Sequence, residues 1–487
     1  MAFQDELRLT LESPDFSCEG VEVRRLSGSE AIGRLYDFEV EVVCAHHDGP
    51  ALDEIEGSHV TVAMERFAGA GKGWHGVRKI HGMIAEVEDL LATQLDVHVY
   101  RLRVVPRAFA LTLVEIQDIY MNRSVPEVIK EKLEHVALGA EMEMRLRGTY
   151  APRDFIVQYK ESDLAFVSRL AEHLGISFYF HHGDAADTMV FTDNASGFQP
   201  VDGATSILYR SHVADGTVFG LTSTRRVVPA YYAVRDYNYR TPTVDITGEH
   251  KLPDAFAGGV VEYGTHHKTP DEARIMAEVR AQERLAGQVV YRGRSGVPAL
   301  SAGMRVTLTD HPDKGSLDLL ITEVTHDARQ IVGARSQSEE PGYTNAFRAI
   351  PADRTYRPPR VTPKPRIAGL VTGIVDPGPA GPEAKYAQID EQGRYLVRFL
   401  FDSTPPGERP VTRRVRMVQN HAGENYGTHF PLHPGVEVVV GFVDGDPDRP
   451  LIVGAVPNPI KSSPVTQPET GLHRIRTSTG ITMEMGE

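Results

Sequence analysis

Three carboxylates within five residues form a dense group of potential metal ligands in the sequence. Asp444, Asp446 and Asp448 are separated only by Gly445 and Pro447. Carboxylate oxygens suit Ca²⁺, but the later bidentate Glu of an EF-hand loop is missing. Glycine permits a positive φ and proline fixes the backbone, which is typical of a turn. The sequence therefore predicts an acidic turn between two apolar strands and no metal site.

Histidines occur in three adjacent pairs, His46–His47, His181–His182 and His266–His267. Neighbouring residues on a strand point to opposite faces, so the two members of a pair cannot chelate one ion together. The spacing of a zinc-binding HExxH helix is also absent from the sequence. These histidines are predicted to lie on the surface or in turns.

Two further segments come close to catalytic motifs without matching them. The Gly69–Gly73 loop lacks a Ser or Thr after Lys72, so it is predicted to be a hairpin tip and not a phosphate-binding loop. The segment from Gly293 to Gly296 fails the nucleophile-elbow pattern by one position. Glycosidase carboxylates cannot be identified from spacing, because the separation that matters is spatial. The sequence predicts no catalytic residue, no cofactor and no enzyme activity.

The bulk properties restrict the class of protein. A chain of 487 residues is too long for one hydrophobic core, so two to four domains are expected. A net charge of −14 disfavours binding to nucleic acid or anionic membranes. Cys18 and Cys44 are too few for a disulfide framework and are expected to be thiols in a reducing cytosol. No signal peptide or membrane span is recognisable, so we expect cytoplasmic synthesis without stable membrane anchoring.

The elements that must position these residues are mostly short strands. Val21 and Val23 alternate with charged residues, as expected for half-buried antiparallel strands. Three helices are predicted: one after the capping box Ser124–Glu127, one from Ser162 to Leu174, and one from Thr269 to Gly287. The predicted fold class is mainly β with helical insertions, an α+β hub.

Composition changes along the chain suggest four segments. Residues 1–350 form the first, residues 351–365 a proline-rich extended linker, and residues 366–460 evenly spaced strands that suit an OB-fold barrel. Residues 461–487 end in an alternating strand pair that has too little core to be stable alone. We predict that copies from other chains complete it as a neck, through Ile475, Thr477, Ile481 and Met483.

Several motifs follow one another in an order that resembles the VgrG spike proteins of type VI secretion. They are residues 26–38, 124–129, 157–170, 235–238, 393–399 and 435–458. The positions taken as family-signature residues are Ser124, Glu127, Glu161, Ser162, Asp163, Arg394, Gly435, Asp444, Gly445, Asp446, Pro447, Asp448, Arg449 and Pro450. The family normally continues into a long β-helix, whereas this chain ends at Glu487.

The resemblance implies a homotrimeric, mechanical protein. Residues 1–350 would form a phage baseplate-hub-like region with two β-barrel subdomains, followed by the OB-fold and the start of an intertwined triple-stranded β-helix. The implied partners are baseplate proteins, a hexameric inner tube of haemolysin-coregulated protein, and a PAAR-repeat tip protein or effector. The spike would be secreted or delivered into target cells without a signal peptide. The alternatives are the hub spike of a phage tail or extracellular contractile particle and, further away, a spike with peptidoglycan hydrolase activity.

Overall fold

The computed structural model describes residues 7–45, 55–67, 74–90, 97–201, 206–213, 216–253, 255–332, 342–381, 383–405 and 407–486. The Gly69–Gly73 loop and the His46–His47 pair lie outside the described residues. Within these ranges no helix is both long enough and apolar enough to cross a membrane.

Strands dominate the chain, and the predicted mainly β class with a few helices is confirmed. Residues up to 120 form β1 (Leu7–Glu12), β2 (Val21–Ala31), β3 (Asp37–Ala45), β4 (His59–Phe67), β5 (Trp74–Asp89), β6 (Val97–Val105) and β7 (Glu115–Tyr120). The middle of the chain forms α1 (Val125–His135), β8 (Met142–Arg145), β9 (Ile156–Ser162), α2 (Asp163–Leu174), β10 (Ser177–His182), β11 (Asp187–Thr192), β12 (Gln199–Pro200), β13 (Ser206–Tyr209), β14 (Thr217–Arg225), β15 (Tyr231–Asp236), β16 (Ile246–Lys251), β17 (Gly259–Tyr263), α3 (Pro270–Ala286), β18 (Val289–Ser295), β19 (Met304–His311), β20 (Gly315–Arg329) and β21 (Gly342–Pro351). The remainder forms β22 (Val371–Val375), β23 (Val397–Phe399), β24 (Ala422–Gly423), β25 (Tyr426–Gly427), β26 (Glu437–Phe442), β27 (Pro450–Ala455), β28 (His473–Arg476) and β29 (Thr482–Met485).

The chain folds into two compact units, and each unit combines segments that are not consecutive in the sequence. The first unit contains Met1–Leu113, Lys130–Thr149 and Val167–Thr362. The second unit contains Val114–Ile129, Tyr150–Phe166 and Pro363–Glu487. Two short segments from the first third of the chain therefore fold with its C-terminal part.

The first unit is built on a 13-stranded sheet with the order β1-β4-β5-β6-β3-β2-β20-β21-β18-β14-β13-β19-β12. Its buried strand faces include Val23 on β2 and Val40 and Val42 on β3, which confirms the predicted alternation. A separate sheet of β16, β15 and β17 packs on α3 through Tyr232 and Val234.

The segment from Arg78 to Val87 is part of the single 16-residue strand β5. Gly82 does not make a turn there. A Cβ atom at Gly82 would lie 2.6 Å from the carbonyl oxygen of Val105, so the glycine allows β5 and β6 to approach closely.

The second unit has one core that draws on distant parts of the sequence. Its sheet has the order β23-β22-β26-β27, and β7 pairs separately with β9. Ile119 from β7, Phe155 just before β9 and Val157 of β9 pack in the same apolar cluster as Phe399 and Val438 of the sheet. The β7–β9 pair therefore helps to cover this sheet.

All three helices begin at the predicted caps. The Glu127 Oε2 atom accepts the Ser124 backbone N–H at 2.7 Å, which forms one half of the capping box of α1. Ser162 caps α2 through the backbone N–H of Ala165 at 3.2 Å. Thr269 caps α3, which ends at Gly287 as predicted.

The proline-rich segment that leaves the first unit follows its surface through polar contacts. The Glu172 carboxylate accepts the backbone N–H groups of Val361 and Thr362 at 3.0 and 2.9 Å. Arg360 pairs with Glu262 at 2.7 Å and with Glu283 at 3.1 Å. These contacts hold an extended strap that has no regular secondary structure of its own.

A buried ion pair joins strands that are not neighbours in the large sheet. Glu30 of β2 pairs with Arg78 of β5 at 2.7 Å, although β3 and β6 lie between these strands. His326 of β20 contacts the same carboxylate oxygen at 3.0 Å. Burial alone would raise the pKa of Glu30, but the Arg78 charge and the His326 hydrogen bond hold that pKa well below its usual range. The sheet must therefore curl so that β5 faces β2.

We expect Glu30→Gln to lower the free energy of unfolding by about 3 to 5 kcal/mol, because it leaves the Arg78 charge buried without its counter-ion. The denaturant midpoint of the wild type and the variant measures this change. Glu88→Gln is the matched control, since Glu88 also pairs with an arginine but its side chain is 53% exposed. The control should change stability by less than about 1 kcal/mol. Equal effects of the two substitutions would contradict the role given to the buried pair.

His182 makes the first unit sensitive to acid. Its Nδ1 atom accepts the His81 backbone N–H at 3.1 Å, and its ring lies 5.0 Å from the ring of Tyr36. Burial and the Arg78 charge lower the pKa of His182 to about 3. The unfolded chain binds this proton near pH 6.5, so stability is lost as the pH falls from about 6.5 towards 3.

We therefore expect His182→Gln, which keeps an acceptor for the His81 amide, to reduce the acid destabilisation. At pH 5 this histidine should lower the free energy of unfolding of the wild type by about 2 kcal/mol relative to neutral pH. That contribution should disappear in the variant. Denaturant midpoints at pH 7.5 and pH 5 provide the measurement, with His212→Gln as an exposed histidine control. An unchanged difference between the two pH values would contradict the assignment.

Candidate assembly surface

The acidic turn predicted at residues 444–450 connects β26 to β27 in the second unit. Asp444 and Gly445 adopt left-handed φ angles of 55° and 70°. The Gly445 carbonyl oxygen accepts the Ile367 backbone N–H at 2.8 Å, so the turn also fixes the entry of the chain into this unit. Pro450 is the first residue of β27, as expected for a proline at a strand start.

Lys364 supplies the positive charge between the carboxylates of this turn. Its Nζ atom lies 2.6 Å from Asp446 Oδ1 and 2.9 Å from Asp448 Oδ2. The other oxygen of Asp448 accepts the Val157 backbone N–H at 2.8 Å. The turn therefore ties β9 and the segment around Lys364 together, which is a structural role and agrees with the interpretation as an acidic turn.

The signature residues around the start of α2 form a buried polar group. Gln158, which the sequence analysis did not single out, donates from Nε2 to Asp163 Oδ1 at 2.8 Å and to the Glu161 carbonyl oxygen at 3.2 Å. The Asp163 backbone N–H donates to the carbonyl oxygen of Val114 at 2.9 Å. These bonds fix the beginning of α2 beside β7 and β9. The signal available in the sequence was the polar Gln158 directly after the apolar residues Phe155, Ile156 and Val157.

The remaining signature positions stabilise turns. Arg394 donates from Nε to Asp390 Oδ2 at 2.7 Å and closes the turn before β23. Gly435 has a φ of 74°, which a residue with a Cβ atom rarely adopts, and its N–H donates to the Val375 carbonyl oxygen. Arg449 closes the acidic turn, where its N–H donates to the Asp446 carbonyl oxygen at 2.9 Å.

The residues that came close to catalytic or metal-binding motifs make structural contacts. Ser295 is fully buried, and its Oγ atom accepts the Val297 backbone N–H at 2.8 Å. His267 contacts the Ile246 carbonyl oxygen and the Thr265 hydroxyl at 2.7 and 2.6 Å. His181 and His182 lie on strand β10 and His267 is buried, so the prediction that these pairs lie on the surface or in turns is wrong for them. Because of these contacts, neither the Ser295 hydroxyl nor the His267 ring is free to act as a reactive group.

The terminal hairpin of β28 and β29 has one polar face that its own chain satisfies. Arg474 pairs with Glu484 across the hairpin at 2.6 Å and with Glu469 at 2.8 Å. The Arg474 hydrogen bond lowers the pKa of the Glu469 carboxyl. The chain reverses between Thr477 and Ile481, where the Thr477 N–H donates to the Ile481 carbonyl oxygen at 2.9 Å. Arg474 and Glu469 were not among the predicted neck residues, although their opposite charges lie five residues apart in the sequence.

The other face of this hairpin is apolar and uncovered. Ile475 lies directly opposite Met483 in the register, and their exposed fractions are 46% and 59%. Ile481 and Met485 are also exposed large apolar side chains. Two strands of four residues cannot form a core by themselves. This face is therefore the candidate assembly surface of the second unit.

Family models match both parts of the chain. The phage tail baseplate hub model matches residues 29–331, which is more than half of the chain. The model of the type VI secretion system/phage-baseplate injector OB domain matches residues 387–456. The VgrG4b type VI secretion spike protein of Pseudomonas aeruginosa is 30% identical over 454 residues, covering 90% of this chain and 54% of the relative. The chain thus spans about half the length of this curated relative.

Solved structures share the fold. An E. coli component of the type VI secretion system, described as similar to the T4 bacteriophage tail proteins gp27 and gp5, matches with a TM-score of 0.63 and 23% identity. It covers 93% of this chain and all of that chain. A chain of a Francisella PdpA–VgrG complex matches with a TM-score of 0.64 and 8% identity, covering 100% of this chain and 84% of that chain.

These matches confirm the resemblance to VgrG spike proteins and the hub-like fold that were inferred from the motifs. The hub model covers most of the first unit, and the OB model covers β23 to β27 of the second. The chain belongs to the phage tail baseplate hub family and carries an injector OB domain in its C-terminal part.

Proposed function

We propose that this chain is the hub and spike subunit of a contractile injection apparatus of the type VI secretion class, and that three copies form the working spike. The observation that carries the proposal is the terminal hairpin, which satisfies its charged face internally but leaves Ile475 and Met483 in solvent. Exposed contiguous apolar surface of this kind marks an association site.

Threefold association gives each hairpin two neighbours that cover its apolar face. Fully burying an aliphatic side chain is favourable by roughly 1.5 to 3 kcal/mol, so several such residues per copy offset the loss of freedom on association. Thr477, which was predicted to belong to the neck with Ile475, Ile481 and Met483, lies at the turn beside these residues. The polar contacts of Arg474 fix the hairpin shape before assembly.

The proposed domain plan assigns residues 1–350 to the hub, 351–365 to the linker, 366–460 to the OB-fold and 461–487 to the neck. The OB family match to residues 387–456 supports the third of these segments. The contacts that place Val114–Ile129 and Tyr150–Phe166 with the later residues add two hub-derived segments to the second unit.

The proposed partners follow from the hub role. The hub would sit on a hexameric inner tube of haemolysin-coregulated protein within the baseplate, and the neck would lead to a PAAR-repeat tip protein or effector. The fold shared with a chain of a PdpA–VgrG complex supports a spike that binds further proteins. Export would occur through the apparatus itself. The proposed role of the chain is mechanical, because the conspicuous polar groups of the described residues stabilise turns, caps and strand pairs.

Native mass measurement of the purified chain tests the proposal, and three copies per particle are expected. Ile475→Asp combined with Met483→Asp should dissociate the trimer, because each copy would then bury two carboxylates without partners. Thr482→Asp is the matched control on the polar face of the hairpin and should leave the mass unchanged. A wild-type chain that stays monomeric at micromolar concentration would contradict the proposed assembly.

A further inference from the structure

The two cysteines of the chain lie at the open end of the hairpin formed by β2 and β3. Cys44 is near the end of β3 and stands opposite Val21, the first residue of β2. Cys18 precedes β2 by three residues. The sequence contains no other cysteine, so these two thiols have only each other as an intramolecular partner.

A tight turn folds Cys18 back over this end of the hairpin. The Val21 N–H donates to the Cys18 carbonyl oxygen at 3.1 Å, and Gly20 supplies the positive φ of 79°. The Cα atoms that begin and end such a turn lie within about 7 Å. Directly opposed residues of antiparallel strands have Cα atoms about 4.5 to 5.5 Å apart. Cys18 and Cys44 are therefore both neighbours of Val21.

The two thiols differ in their exposure to solvent. Cys44 is buried on the inner face of β3 with Val42, whereas Cys18 is half-buried and remains accessible. Burial raises the pKa of the Cys44 thiol to about 11, and the negative charge of an ionised Cys18 raises it further. This effect of one thiolate on the other agrees with the position of both cysteines beside Val21. Burial also raises the pKa of the Cys18 thiol, so both thiols are mostly protonated at neutral pH.

We propose that Cys18 and Cys44 form a reversible disulfide that closes the open end of the β2–β3 hairpin when the chain meets an oxidising disulfide. In the reduced state backbone hydrogen bonds pair β2 with β3 at this end of the hairpin. The bond would lock the strand that carries Glu30 to its neighbour β3. Exposure of the chain to an oxidising compartment rests on the proposed export of the spike, whereas the ability of the two cysteines to form the bond does not depend on export.

The chemistry proceeds by two thiol–disulfide exchanges with a small disulfide such as oxidised glutathione. The thiolate of Cys18, the accessible residue, attacks one sulfur of the oxidant and releases one glutathione thiolate. The thiolate of Cys44 then attacks the Cys18 sulfur of the mixed disulfide and releases the second. The two cysteines lose two electrons to the oxidant, and their two protons end on the two glutathione thiols.

The test uses the purified full-length chain, reduced and then incubated with oxidised glutathione. Free thiols are trapped with N-ethylmaleimide in denaturant, and the intact mass is measured. We expect the wild type to lose two hydrogens and to take up no maleimide and no glutathione. Reduction should restore two maleimide-reactive thiols. Wild-type chains that retain two free thiols, stop at a glutathione adduct, or link between copies would each overturn the proposal.

Serine variants identify the order of the two steps. Cys44→Ser should accumulate a stable glutathione adduct at Cys18, because the resolving thiol is missing. Cys18→Ser should remain largely unmodified, because Cys44 is buried. The thermal midpoint should rise on oxidation of the wild type and remain unchanged for Cys18→Ser. The mass result on the wild type decides the proposal even if a variant fails to fold, and it is independent of the trimer measurement.

Discussion

The carboxylate of Glu30 is a buried charge that the first unit must neutralise in the interior of its sheet. Arg78 and His326 reach it from β5 and β20, so one anion fixes three strands at once. The guanidinium of Arg78 is itself satisfied by the carbonyl oxygens of Pro298 and Leu300 at 2.9 and 2.7 Å. A misplaced strand would leave at least one of these charges without a partner, which is costly in a medium of low dielectric constant. The curl of the large sheet and this polar group therefore depend on each other.

The second unit is constrained differently, because the strands of its sheet are few and short. It recruits Ile119, Phe155 and Val157 from segments more than two hundred residues earlier in the chain to complete its core. The acidic turn before β27 then holds β9 through Asp448 and holds the incoming segment through Lys364. The family-signature residues of this unit accordingly form helix caps and the polar contacts that hold separate segments together.

The hub, the OB domain and the hairpin place different demands on the same chain. The hub and the OB domain each have buried apolar clusters, whereas the hairpin leaves its apolar side exposed. In the proposed trimer this division would let each copy fold before it assembles. The two cysteines lie in the hub at the end of a hairpin, so a bond between them would strengthen a part of the chain that is already folded.

The sequence by itself determined the strand-rich class, the three helix starts and the family order of the motifs, because these depend on local patterns of polarity and on short-range caps. It also indicated that the terminal strands lack a core of their own. Only the tertiary structure decided that Gly82 lies inside a strand, that Glu30, Arg78 and His326 meet, and that β7 and β9 join the OB core. These pairings join residues far apart in sequence. Which of many charged or apolar residues meet depends on how the sheets curl, and no local spacing encodes that curvature.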